Sequence, residues 1–173
     1  MEQKVTTPVQ KGLIISLLLI VYGLVLYFTN QFMNQGLSSV QYAILVGGII
    51  WSCISYAKEM NGNVTFGNVF AHGFKTTAFV AALIAVYTFV AVKFLFPDMI
   101  DMVVEKARQD MAKNNELSSD QIDQALEMTR KFFVPFAVGG AIVVFAIVGL
   151  ISSLIGAAAA KKNPKDPFAQ PQI

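Results

Sequence analysis

Charge is scarce in this sequence. Asp, Glu, Lys and Arg make up 14% of 173 residues, where soluble domains carry roughly 25%. One cysteine excludes a disulfide scaffold, and one histidine leaves no zinc-ligand spacing. There is no P-loop, no glycine-rich fingerprint after a strand and no H-E-x-x-H helix. The apolar segments contain no Ser/His/acid set for nucleophilic chemistry. They also contain no Asp or Glu, and intramembrane carboxylates are the usual mark of proton or cation coupling. These absences predict a protein that is not an enzyme, with no catalytic residue, no metal, no cofactor and no nucleic-acid partner.

What the chain has is apolar length. It is 55% hydrophobic, with 14 Phe and 7 Met. A bilayer core about 30 Å thick needs about 20 helical residues to cross. Four segments meet that requirement: Leu13 to Phe32, Val40 to Ala57, Thr76 to Phe96 and Phe132 to Ala160. The expected fold is all-α, a polytopic membrane protein with four transmembrane helices over residues 13–160. Lys93 is the one formal charge in these runs, near enough to an end to snorkel to the interface. The first run is long and no A-x-A site follows it, which predicts a retained anchor rather than a cleaved signal.

Basic residues set the orientation. Lys4 and Lys11 lie in the N-terminal arm (1–12), Lys58 and Lys75 in the second connection, and Lys161, Lys162 and Lys165 in the tail (161–173). The first connection has none, and the third carries eight acidic residues against five basic. Both termini are therefore expected inside, with a disordered tail. The third connection, 98–131, reads as an extracytoplasmic helical hairpin: Ile100, Val103, Ala107 and Met111 make one apolar stripe. Asn114-Asn115 breaks it, Ser118 with Gln121 forms a capping box, and Leu117 staples against Ile122. Pro135 marks a kink or fresh start where the second helix meets the membrane. Its acids spread along two helix faces without a calcium-loop pattern, so they read as a solvated surface.

The second connection is the densest in signal. Asn61-Gly62 is turn material and Thr65 an N-cap. Phe66, Phe70, Gly73 and Phe74 then share one helical face, with Gly67 beside them. This predicts an interfacial helix over 65–75 whose glycines allow close packing. In the fourth span Ala137 and Ala141, and Gly149, Ser153 and Ala157, are spaced by four, the pattern of helix-packing seams. His72 and Cys53 read as packing residues.

Four spans, the run Asn61-Gly62-x-x-Thr65-Phe66-Gly67-x-x-Phe70-x-x-Gly73-Phe74 and the acidic helical insert together resemble the bacterial domain-of-unknown-function family 4199, over roughly residues 8 to 160. The resemblance implies a multi-pass protein of the bacterial inner membrane and carries over no catalytic residue. It also associates the chain with lipid-linked glycosyltransferases as a membrane partner. The residues favour a non-enzymatic accessory or scaffold subunit working through helix–helix and juxtamembrane contacts, with membrane lipids and another membrane protein or a second copy as partners. A lipid or small-solute translocator using the Phe66/Phe70/Phe74 face is the alternative.

Overall fold

The computed structural model describes residues 5–113 and 118–163. Lys4, Asn114, Asn115, Leu117 and Lys165, and with them the helix break, the staple and most of the tail, lie outside these residues. The described residues are helical: α1 (Pro8–Phe28), α2 (Gln35–Glu59), α3 (Phe66–Val90), a π-helical turn (Ala91–Leu95), α4 (Asp98–Ala112) and α5 (Ser119–Ala159). Four helices are long and apolar enough to cross a membrane: α1, α2, α3 with its π extension, and α5. In hydrocarbon a helix satisfies its own backbone groups, which is why apolar runs of this length take that form.

Several boundaries differ from the sequence reading. Helix α1 starts at Pro8 rather than Leu13, so the expected arm of residues 1–12 loses its last turn to the helix. The reason is local. Thr7 accepts from the Gln10 amide and the Gln10 side chain accepts from Thr7, while Pro8 occupies the first turn, where its missing N–H costs nothing. Residues 65–75 do not form a separate interfacial helix; α3 runs from Phe66 into the apolar run without a break at Lys75. No proline or positive φ falls there to end it. The third span leaves α-geometry at Val90, and the π turn carries Lys93, exposed, to Phe96. Pro135 does not interrupt α5, which is continuous across 119–159. A proline inside a helix removes one backbone bond, a loss that spanning helices tolerate.

The chain divides into two compact units. The first holds α1, α2, α3 up to Leu83 and α5 from Val144. Helices α1 and α2 pack along each other, and Ile15, Leu19, Leu45, Ile49, Val69 and Val80 form an apolar core. The second unit, Ile84–Val143, holds α4 and the start of α5. Ser118 and Gln121 exchange hydrogen bonds that cap α5. Arg108 bonds Asp123 at 3.0 Å and Arg130 bonds Asp101 at 2.5 Å, linking the two helices in opposite chain order. All four side chains are more than half exposed, so each pair contributes at most about 1 kcal/mol and weakens with salt.

Candidate functional site

Polarity in the first unit gathers at the end where α1 and α3 begin and α2 ends. Lys11, one turn into α1, is 1% exposed, and its Nζ lies 3.0 Å from Glu59 Oε1. Glu59 is the last residue of α2. It also accepts from the Thr6 amide (2.7 Å), the Thr6 hydroxyl (2.6 Å) and the Ser55 hydroxyl (2.8 Å). Four donors thus converge on one carboxylate, and Lys11 also reaches the Ser52 carbonyl at 3.4 Å. The arrangement follows from cost. An unpaired buried ammonium is penalised by several kcal/mol, which a close carboxylate with its remaining lone pairs filled offsets. The pair straps the chain ahead of α1 across the end of α2.

One helical layer deeper, His72 stacks on Tyr56 with centroids 4.2 Å apart and planes within 11°. His72 is 6% exposed and its Nε2 has no hydrogen-bond partner. An unmet buried polar atom costs about 1–3 kcal/mol. Below it, the Thr76 hydroxyl donates to the His72 carbonyl (2.9 Å) and lies 3.2 Å from Ser52 Oγ.

Two clefts open at this end. One, of about 470 Å³, is bounded by Thr6 and Thr7 ahead of α1, by Tyr56, and by Asn68, His72 and Lys75 of α3. The other, of about 700 Å³, has an apolar wall of Ile54, Ala57 and Ala159 under Lys58, Lys161 and Lys162. Lys162 donates to the Ala157, Ala158 and Ala160 carbonyls, neutralising the negative end of α5, and lies 5.8 Å over the Phe66 ring. Among the described residues, no group of three or more His, Cys, Asp or Glu is placed to hold a metal ion.

The residues singled out from sequence separate into three places. Asn61 (φ 53°) and Gly62 (φ 75°) make the left-handed turn after α2, where Gly62 accepts from the Asn163 amide at 2.7 Å. Thr65 caps α3 by accepting from the Asn68 amide. Phe66, Phe70 and Phe74 stack in sequence, centroids 6.4 and 6.1 Å apart, with Phe66 and Phe74 half exposed; Gly67 has only Thr65 near it. Gly73 faces the other way, into the unit. A Cβ there would stand 2.5 Å from Cys53 Sγ and 3.0 Å from Ser153 Oγ.

Gly149, Ser153 and Ala157 form the matching face of α5. A Cβ on Gly149 would overlap Thr77, and one on Gly156 would stand 2.8 Å from Cys53 Cβ. Ser153 and Ala157 are fully buried. These small residues are therefore used within the chain, letting α2, α3 and α5 approach closely around Cys53. Ala137 and Ala141 are not part of this contact; they belong to the second unit and are half-buried.

Sequence reasoning missed the Lys11–Glu59 pair, although a signal existed. Glu59 is the one carboxylate between Glu2 and Asp98, set at a span end beside lysines.

No curated protein and no solved structure matches the chain. A family model matches residues 10–162, which takes in the polar end of the first unit, the small-residue seam and the second unit; the chain belongs to the family of proteins of unknown function DUF4199.

Proposed function

We propose that this chain is a non-catalytic accessory or scaffold subunit of the bacterial cytoplasmic membrane that works by presenting one face of α5 to another helix. One observation carries this reading. In the first unit Ile147, Ile151 and Leu154 fall on a single stripe of α5 at helical spacing, and all three are exposed. The stripe lies opposite Gly149, Ser153 and Gly156, so α5 has an inward face of small residues and an outward face of large ones. In the second unit Gly140 of the same helix is exposed, with nothing within 4 Å of a Cβ built there among the described residues. Only 6% of the apolar window of α5 is buried, against 33% for α1. Small exposed residues of this kind let a second helix approach.

Mass measurement on particles taken directly from membranes into polymer-bounded lipid discs tests the proposal. With the lipid and polymer mass subtracted, the expected protein mass per particle exceeds the single chain's 18.9 kDa. A strictly monomeric particle with nothing accompanying it contradicts the proposal.

We infer that both termini face the cytoplasm. The support is the gathering of Lys11, Lys58, Lys75, Lys161 and Lys162 at one end of the first unit. Cys53 is buried, so engineered thiols report without interference from it. In intact cells, an impermeant maleimide is expected to label Asn115→Cys and spare Asn163→Cys. Labelling of Asn163→Cys contradicts the orientation.

A further inference from the structure

We propose that the cleft beside His72 is a binding site for a phosphate group, carried by an anionic lipid headgroup or free in solution. Four observations converge there, independently of any partner of α5. First, the positive ends of two helix dipoles face the cleft, with Thr7 and Pro8 opening α1 and Asn68 in the first turn of α3. The Thr7, Gln10 and Asn68 amides are already capped and Pro8 has none, so the attraction for an anion here is that of the dipoles themselves. Second, Lys75 lines the cleft and makes no ion pair among the described residues. Third, His72 lines it too, an imidazole more than nine-tenths buried with an unmet nitrogen. A buried polar group left unsatisfied in a folded protein calls for an explanation, and a bound ion is one.

The fourth observation concerns the one carboxylate nearby. Glu59 bonds Thr6, which lines the cleft, but its charge is balanced by Lys11 and its oxygens are filled by four donors. It neither repels an anion strongly nor competes for Lys75. The local balance is therefore one uncompensated cation, Lys75, with neutral donors around it. A phosphate supplies the matching charge and several acceptors, and charge-assisted bonds of this kind are the strong ones.

Position and size match a headgroup. The cleft residues on α3 immediately precede the apolar run that begins at Thr76, the level at which a lipid phosphate sits. At about 470 Å³ the cleft exceeds a bare phosphate and leaves room for a glycerol moiety.

The single histidine makes the test direct. Full-length protein made with isotope-labelled histidine and no histidine tag gives one imidazole signal, that of His72. In phosphatidylcholine nanodiscs, stepwise addition of phosphatidylglycerol is expected to shift that signal saturably. Lys75→Gln is expected to weaken the response at least tenfold, as is Asn68→Asp, which places a negative charge at the rim. Lys58→Gln, in the other cleft, is expected to leave the titration unchanged. A saturable shift with inorganic phosphate but none with phosphatidylglycerol assigns the site to a soluble phosphate. The proposal is overturned if neither probe shifts the signal, or if the Lys75→Gln and Asn68→Asp proteins respond like the parent.

Discussion

Replacing Glu59 with alanine is expected to cost about 3–5 kcal/mol of stability, the penalty for leaving a buried ion without its partner. Lys11 would keep only the Ser52 carbonyl at 3.4 Å while remaining almost wholly inaccessible to water. Thr6 and Ser55 would lose their acceptor in the same step. The complementary change is expected to be milder. Lys11→Met conserves most of the side-chain volume and leaves a carboxylate that still has three donors and is 22% exposed. Its loss should be about 1 kcal/mol, the scale of one net hydrogen bond. The double variant should therefore be more stable than Glu59→Ala alone. Unfolding in mixed micelles, followed by Trp51 fluorescence, measures all three. Equal losses for the two single variants would show that the pair is not the buried, asymmetric one described.

The second large effect is expected at Gly149. Gly149→Ala gains slightly in helix propensity but drives its methyl into Thr77, 2.6 Å from Oγ1 and 2.9 Å from Cβ. Overpacking of this kind costs about 1–3 kcal/mol. Thr77→Ala removes the two nearest atoms, Oγ1 and Cγ2, leaving only Cβ at 2.9 Å, and gives up a buried methyl and a long 3.5 Å contact with Ser153 Oγ. Combined with Gly149→Ala, it should recover part of the loss, a coupling of about 0.5–3 kcal/mol for residues in direct contact. The same unfolding assay reads the cycle. Strict additivity would mean that α3 and α5 do not meet at this point.

How much was legible in the sequence follows from the range of each cause. A spanning run is a property of consecutive residues, so four helices could be read from hydropathy before any packing was known. The caps at Ser118–Gln121 and Thr65 are equally local. The start of α1 was missed because the apolar run begins at Leu13, although Thr7-Pro8-x-Gln10 spells a cap by itself. The break expected near residue 75 was not there: a single lysine and a glycine do not stop a helix that neighbouring helices hold.

The site was the least legible part, because it is assembled from distant residues. Lys11 and Glu59 are separated by almost two helices, and nothing periodic connects them. His72 and Tyr56 stack across the Asn61-Gly62 turn, a contact that spacing along one helix cannot show. The spacing of Gly149, Ser153 and Ala157 marked a seam but could not say whether the chain itself or another molecule fills it. Residues of α2 and α3 do so from within.

That distinction gives the most direct test of the account, which holds that one face of α5 builds the first unit and that exposed residues along α5 meet a partner. The measurement is the mass of the membrane-extracted particle for Gly140→Leu, taken beside its unfolding midpoint. A Cβ at Gly140 meets nothing within 4 Å among the described residues, so the midpoint should be unchanged or slightly raised. The predicted result is a particle reduced to one chain, with stability intact. A Gly140→Leu particle of undiminished mass would contradict the account.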